Sequence, residues 1–353
     1  MKVAFYTQHL TERGTAVALF DYAKHNRDLV GHETVVLYDE NNPVNNPDVV
    51  EKFKAVFELI PCRDFANADC HIAREGVDLV HVLKSGKRDD LVSRVVPTMV
   101  HSVFAASVRQ VHGASYAYIS EWLSNLCSGG RVPWVPHMIT IGDTDQNMRV
   151  EMNIPEDALV FGCYGGQSSF DIDFVRNKVI PKVIETLPQI YFIFMNIEKF
   201  IDHPRVIFRP VSVDLDEKTA FINSCDAMLH ARRRGETFGL AVGEFSLRGK
   251  PVLTYKKSRE RAHIEMLGKS AQVYRSATEL YDLIASFDRS APSAAETYQR
   301  LFAPQPVMQK FENNLIGPAM CGDRDGARKR LGARRWNPAL LVRPKLKKLL
   351  NQL

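Results

Sequence analysis

The sequence predicts an α/β protein made of two doubly wound domains that face a cleft. Short apolar runs alternate with helix-like stretches, the alternation is interrupted once, and it then resumes. Such alternation is typical of βαβ units with a parallel sheet. A length of 353 residues and an apolar fraction of 45% agree with about two globular domains. Ligands of such sheets bind beyond the carboxyl ends of the strands.

The first domain is predicted to span residues 1–145 and to begin with a strand. Its helix is predicted at residues 15–30, and its strands at 2–7, 34–38, 78–83, 98–102 and 116–120. The following segment, 131–158, is rich in Pro, Asp and Asn and has no sustained period. It is therefore interpreted as the connection between the domains.

The second domain is predicted to span residues 146–318. Its strands are predicted at 159–164, 190–195, 206–209, 227–231, 251–255 and 271–275, and its helices at 170–187, 215–224, 238–248 and 276–287. Because a proline lies inside the stretch 170–187, that helix is expected to be kinked or to begin late.

The remaining residues, 319–353, are predicted to form a basic tail. From Cys321 onward the chain has ten Lys and Arg and two Asp, a net charge of +8, although the whole chain carries only +5. Three interpretations stay open, in order of preference: a last helix packed on the body, attachment to an anionic membrane surface, or contact with nucleic acid.

The cysteines and the N-terminus favour a reducing compartment. Six cysteines are scattered without a Cys-x-x-Cys pair, which indicates reduced thiols rather than disulfides or a zinc site. The sequence shows no signal peptide and no run of about 18 apolar residues. We therefore expect a cytoplasmic protein, peripheral to a membrane surface if the tail binds lipid.

Two carboxylates, Glu236 and Glu244, lie eight residues apart around Gly239, directly after the arginines 232–234. The helical period of 238–248 predicts Glu236 at the helix start and Glu244 about two turns inside, ~12 Å along the axis. Free N–H groups and the positive dipole end at a helix start favour phosphate. Gly239 permits close approach, and the arginines supply charge. The spacing alone leaves open an ordinary helix with an acidic first turn.

Residues 236–252 resemble the Glu-x7-Glu signature of retaining glycosyltransferases of family 4. That family has the GT-B fold, in which two Rossmann-like domains face a cleft. The usual signature is Glu-Gly-Phe-Gly-Leu followed by Glu-Ala-x-x-x-Gly-x-Pro-Val. The matching residues are Glu236, Phe238, Gly239, Leu240, Glu244, Gly249, Pro251 and Val252. Thr237 stands where glycine is usual. The similarity covers residues 155–290 well and the N-terminal half more loosely.

The resemblance implies a metal-independent, retaining transfer of a sugar from a nucleotide-diphosphate sugar to a hydroxyl acceptor. The acceptor would be a glycan or a lipid-linked molecule, and no cofactor beyond the nucleotide sugar is implied. Glu236 would contact the donor sugar near the reacting carbon, and Glu244 would hold the ribose hydroxyls. Main-chain N–H groups of Gly239 and Leu240 would bind the diphosphate, with Arg232 as a nearby charge.

The resemblance also places three other segments at the cleft. His101, at the end of a predicted strand, would face the donor sugar and the acceptor as a second catalytic residue. The turn at Gly14 and Thr15 would touch the diphosphate or the acceptor, with a plain helix cap as the alternative. Gly165 and Gly166 would cradle phosphate at the start of the next helix.

One departure from the family pattern leaves other functions open. Many relatives carry an arginine and a lysine where this sequence has Gln167, Ser168 and Ser169, so the charge for the diphosphate would come from Arg232 or its neighbours. One alternative is a catalytically silent sugar-nucleotide-binding or scaffold protein of the same fold. Another is an epimerase or a phosphorylase on the same scaffold.

Two Asp-x-Asp strings, at 171–173 and 214–216, are interpreted as helix-start residues rather than metal ligands. Asp214 and Glu217 have the spacing of a capping box, and Asp171 would lie in a first helical turn, where a carboxylate is favourable. No metal site is predicted.

Overall fold

The computed structural model describes residues 1–321, which contain two six-stranded parallel sheets. The predicted basic tail, 319–353, lies outside the described residues except for its first three positions. Its three interpretations therefore stay predictions. None of the helices within residues 1–321 has the length and apolar character needed to cross a membrane.

The first sheet has the strand order β3-β2-β1-β4-β5-β6. Its strands are β1 (Lys2–Thr7), β2 (Glu33–Asp39), β3 (Glu58–Cys62), β4 (Leu79–Lys84), β5 (Thr98–Ser102) and β6 (Ser115–Tyr118). Its helices are α1 (Gly14–Asp28), α2 (Pro47–Lys54), α3 (Phe65–Arg74) and α4 (Glu121–Ser128), with a 3-10 turn at Val108–Gln110. Every residue of β4 and β5 is buried, as expected for central strands covered on both faces.

The sequence analysis missed strand β3. It contains Pro61, which has no N–H to donate to a neighbouring strand and therefore weakens the strand pattern. The strand lies at the edge of the sheet, where a missing donor is tolerated.

The second sheet repeats the topology with the order β14-β12-β10-β7-β8-β9. Its strands are β7 (Leu159–Tyr164), β8 (Ile190–Met195), β9 (Val206–Arg209), β10 (Ala227–His230), β12 (Val252–Tyr255) and β14 (Ala271–Tyr274). Two short strands, β11 (Gly235–Glu236) and β13 (Glu260–Arg261), form a separate parallel pair. The helices are α5 (Ile180–Thr186), α6 (Leu215–Asn223), α7 (Leu240–Leu247), α8 (Ala262–Leu267) and α9 (Ala277–Ala285), with a 3-10 turn at Gly268–Ser270. The α/β class with two parallel sheets is as predicted.

Two helix starts follow the sequence analysis. The Asp214 side chain accepts a hydrogen bond from the Glu217 N–H at 2.8 Å and so caps α6. The helical run that contains α5 begins late, at Asp173 rather than residue 170, and passes through a π-helical turn at Val175–Val179 just before Pro181. Asp171 therefore precedes the first helical turn in which it was expected.

The predicted start of the helix that follows β11 was wrong. Helix α7 begins at Leu240, and its N-cap Gly239 has φ 99°. That left-handed conformation suits glycine and cannot continue a right-handed helix backward to residue 238. Glu236 therefore lies outside the helix, on β11, and Glu244 is only the fifth helical residue. The predicted separation along a shared helix axis does not apply.

After the second sheet the chain returns to the first one. It does so through α10 (Ala295–Phe302), α11 (Pro304–Phe311), a π-helical turn at Glu312–Ile316 and α12 (Gly317–Met320). The ring of Phe311 packs against Phe5 of β1, Tyr22 of α1 and His81 of β4, with centroids 5.0 to 6.3 Å apart. The boundaries at residues 145 and 318 stay predictions, but the chain near residue 311 packs with the first sheet.

Candidate functional site

Two helix starts meet between the sheets. A Cβ atom added to Gly14, the first residue of α1, would lie 3.0 Å from Cδ1 of Leu240, the first residue of α7. Neither helix has a side-chain cap or an acidic residue in its first turn. The N–H groups of both first turns and the positive ends of both helix dipoles therefore lie near one another, as an anion site requires.

Glu236 lies just before the start of α7, on the short strand β11. Its Oε1 accepts a hydrogen bond of 2.7 Å from Nη1 of Arg232 and lies 3.4 Å from Nε2 of His230. Burial would raise the pKa of the Glu236 carboxyl, but the His230 hydrogen bond and the Arg232 charge outweigh it and lower the pKa to about 2. Glu236 is therefore ionised at neutral pH. A Cβ on Gly239 would lie 3.2 Å from its Cβ and Cγ, so this glycine also makes room for it.

Glu244 lies inside α7 in a different environment. It is 4% exposed, and its Oε2 has no hydrogen-bond partner among residues 1–321. Within residues 1–321, Nζ of Lys218 on α6 is the cation beside it, 3.8 Å from Oε1. Burial, together with the charge of Asp21, raises the pKa of the Glu244 carboxyl to about 8. Glu244 is thus mostly protonated at pH 7 and has one buried oxygen still able to accept a hydrogen bond.

Asp21 comes from the other sheet's helix α1, two turns after Gly14. Its Oδ2 accepts a hydrogen bond from Oγ1 of Thr140 at 3.2 Å. Burial raises the pKa of Asp21 to about 6 against the opposing hydrogen bond and nearby lysines. Lys218, with its own pKa lowered by burial to about 8, interacts with it electrostatically. The two halves of the chain therefore share one buried cluster of ionisable groups.

The glycines after β7 do not lie in a helix start. Asn196, in a left-handed conformation with φ 56°, donates from Nδ2 to the Gly165 carbonyl at 2.7 Å. The helical run begins only at Asp173, so the predicted cradle on a helix N-terminus is wrong for Gly165 and Gly166. A Cβ on Gly166 would meet no heavy atom within 4 Å, so this loop is open on that side.

His101 is not at the cleft surface. It is fully buried on β5, where Nε2 lies 2.8 Å from the Val135 carbonyl and Nδ1 lies 3.3 Å from Nε2 of His81. Burial lowers the pKa of His101 to about 4 despite the bond to Val135. Its ring packs with those of His137 and Tyr22. A side chain with both nitrogens engaged and no exposed surface cannot contact a sugar in this arrangement, so the expected role of His101 has no support here.

Several residues around the two carboxylates were not foreseen. Behind Glu236, Nδ1 of His230 lies 2.9 Å from Oγ1 of Thr254, which in turn lies 3.0 Å from Nε2 of His263. Near Glu244 the unforeseen residues are Lys218 and Asp21. A usable signal existed for His230, because it lies near the end of the predicted strand 227–231, at the edge where ligands of parallel sheets bind.

The fold is shared with solved structures of very different sequence. No family model matches the chain, and no curated protein is similar to it in sequence. Anabaena HepE in complex with UDP and glucose is 14% identical, with a TM-score of 0.66, over 89% of this chain and 98% of that one. A glycosyltransferase from Rickettsia africae is 10% identical, with a TM-score of 0.60, over 94% and 99%. The chain has the GT-B fold.

Another GT-B neighbour carries a different functional description. A putative UDP-N-acetylglucosamine 2-epimerase from Listeria monocytogenes is 13% identical, with a TM-score of 0.59, over 89% of this chain and 96% of that one. Because a fold hosts several reactions, the function has to be argued from the residues of the site.

Proposed function

We propose that this chain is a retaining glycosyltransferase that moves a sugar from a UDP-sugar to a hydroxyl acceptor. The observation that carries the proposal is the contact between the starts of α1 and α7, at Gly14 and Leu240, next to the ionised Glu236. UDP is chosen as the nucleotide because a neighbour of the same fold was solved with UDP and glucose.

Each part of the donor has a matching group. The diphosphate would lie on the uncapped N–H groups of the two helix starts, including those of Gly239 and Leu240. The ribose hydroxyls would donate to Glu244, whose buried Oε2 has no other partner within residues 1–321. Glu236, held by Arg232 at 2.7 Å, would accept hydrogen bonds from the sugar hydroxyls near the reacting carbon.

The proposed reaction uses this placement. The bond between the sugar C1 and the diphosphate oxygen breaks, the acceptor oxygen bonds to C1 on the same face, and the acceptor proton goes to the leaving phosphate. Helix N–H groups and the Arg232 charge would stabilise the negative charge that develops on that phosphate. The proposal therefore assigns no role to a divalent metal. Thr15, which follows Gly14 at the start of α1, would be part of the same diphosphate-binding site.

A catalytically silent sugar-nucleotide-binding protein is the second candidate. Two observations favour it: Gln167, Ser168 and Ser169 replace the basic pair of the family pattern, and Arg232 is already paired with Glu236. A binder of this kind would hold UDP-sugars without breaking them.

Two measurements separate these candidates. Thermal unfolding with UDP, GDP and CDP should show stabilisation by UDP in particular, since a ligand of the native state raises the unfolding midpoint. Release of UDP from UDP-glucose and UDP-N-acetylglucosamine is then followed with and without a panel of hydroxyl acceptors. UDP release supports the enzyme, binding without release supports the silent binder, and no stabilisation by any nucleotide contradicts both.

A further inference from the structure

We propose that Thr254 and His263 position Glu236 through His230, by a directed chain of hydrogen bonds that fixes which nitrogen of His230 carries the proton. The inference rests on the proposed function, because it concerns the carboxylate assigned to the donor sugar. His230, Thr254 and His263 would be positioning residues that act through one another and touch no substrate.

The series of hydrogen bonds consists of three contacts. Oε1 of Glu236 lies 3.4 Å from Nε2 of His230, Nδ1 of His230 lies 2.9 Å from Oγ1 of Thr254, and that oxygen lies 3.0 Å from Nε2 of His263. His230 and Thr254 are register partners on the neighbouring strands β10 and β12, and His263 lies on α8 above them. All three are buried, with Thr254 and His263 fully inaccessible, so water does not compete for these bonds.

The chemistry of the four groups favours one direction. Glu236 is ionised and can only accept, so His230 donates from Nε2–H. A neutral imidazole then has a bare Nδ1, which accepts from the hydroxyl of Thr254. Having donated its single proton, Thr254 Oγ1 accepts from Nε2–H of His263. This leaves Nδ1 of His263 as a lone pair, and that nitrogen is a buried atom without a partner in residues 1–321.

The opposite direction is less favourable. If His230 carried protons on both nitrogens, it would donate to Thr254, and the hydroxyl would turn to Nε2 of His263. His263 would then carry its proton on the buried Nδ1, which makes no well-formed hydrogen bond within residues 1–321. The main-chain hydrogen bond of this ring with Glu236 is only a minor contribution to its pKa. An unpaired buried N–H costs about 1–3 kcal/mol, so the first direction is preferred. Burial also lowers the pKa of His263 to about 3, so this ring is neutral.

The direction matters because it controls the second bond to Glu236. If Thr254 did not donate to Nδ1, His230 could take the other tautomer and point a lone pair at the carboxylate. Glu236 would then be held by Arg232 alone and could rotate. A carboxylate that contacts the reacting sugar has to be placed within about 0.5 Å, and such placement comes from supporting hydrogen bonds.

The test compares Thr254→Val with Thr254→Ser. Valine has the shape of threonine and a strand-compatible branch at Cβ, but it lacks the hydroxyl, whereas serine keeps it. The valine variant should lose turnover by about 10- to 100-fold with an unchanged Kd for UDP, and the serine variant should keep most of the activity. Equal turnover of valine variant and wild type, or equal loss in both variants, would overturn the inference.

A measurement independent of activity keeps the two proposals separable. Nitrogen chemical shifts of ¹⁵N-histidine-labelled protein distinguish Nδ1–H from Nε2–H rings, and His230 is assigned with a His230→Gln variant. At pH 7 the wild type should show His230 protonated on Nε2 only. If His230 instead carries its proton on Nδ1, the proposed series of hydrogen bonds is wrong, even if the protein is an active transferase. If His230 shows the expected tautomer but the protein releases no UDP, the proposed hydrogen bonds are supported and the proposed enzyme activity is contradicted.

Discussion

Glu236 and Glu244 are eight residues apart in the sequence and lie in opposite electrostatic surroundings. Glu236 is held by Arg232 and His230, and its pKa is lowered to about 2. Glu244 is more deeply buried, has one oxygen without a partner in the described part of the chain, and has its pKa raised to about 8. Glu236 therefore already has its hydrogen-bond partners in the protein, whereas the hydrogen bonding of Glu244 is completed only when a ligand supplies a hydroxyl or N–H group. Under the proposed function these are the sugar end and the ribose end of one ligand.

The largest effect is expected from Glu236→Gln. The amide removes the charge that Arg232 neutralises and that would strengthen hydrogen bonds to the sugar in the transition state. UDP release should fall by about 100- to 1000-fold, while the Kd for UDP stays within about twofold of wild type. Steady-state kinetics and calorimetry on the same samples measure both.

Glu185→Gln is the matched control for that variant, because Glu185 is an exposed carboxylate near the end of α5. It should leave turnover unchanged. If Glu236→Gln weakened UDP binding and spared turnover, the assignment of Glu236 to the sugar would be wrong.

Glu244→Gln should have the converse effect. One charge-assisted hydrogen bond to a ribose hydroxyl is lost, and the amide oxygen can still accept the other. The Kd for UDP should rise by about 10-fold, and turnover at saturating donor should change little. A titration with uridine beside UDP sharpens the test, because both ligands carry the ribose and both should lose affinity by the same factor. Loss with UDP alone would place Glu244 at the phosphates instead.

UDP binding should release a proton at pH 7. With a pKa of about 8, Glu244 is about nine-tenths protonated at that pH, and hydroxyl donors favour its ionised form. The raised pKa means that binding has to remove a proton below pH 8, so affinity should increase as the pH rises from 6 to 8, by up to about 10-fold per unit. Calorimetry in two buffers of different ionisation enthalpy measures the release. Glu244→Gln should abolish it, and an equal release in that variant would point to another group.

The smallest effect is expected from Gly14→Ala. The new Cβ would lie 3.0 Å from Cδ1 of Leu240, a contact that the leucine side chain can relieve by a small shift. Spreading the two helix starts should weaken UDP binding by about threefold. The double variant Gly14→Ala with Leu240→Ala should regain most of this loss. No recovery would mean that the glycine acts on the ligand directly rather than through the helix contact.

The sheets could be predicted from the sequence because parallel strands are buried on both faces and appear as compact apolar runs. Strand β3 was not predicted because its proline interrupts the apolar run. The start of α7 was misplaced because a glycine among apolar residues keeps the helical period, and only the backbone angle of Gly239 shows the break.

The site was predictable to the extent that it follows local sequence. The residues around Glu236 and Glu244 are contiguous in the sequence, so their resemblance to the Glu-x7-Glu signature could be noticed. Asp21, Lys218 and His263 reach the two carboxylates from distant segments, and no local pattern indicates such contacts. For His101 the local sequence pointed to the cleft, but the side chain is buried. A histidine near the end of a strand can face either the cleft or the core, and the local sequence does not distinguish the two.

The packing of Phe311 on Phe5, Tyr22 and His81 has a consequence for dissecting the protein. A fragment ending at residue 145 would expose three aromatic rings that are fully buried within residues 1–321 and would be prone to self-association. Helix α11 supplies a contact that the N-terminal half cannot make for itself, so a fragment built around the first sheet should include the segment 304–320.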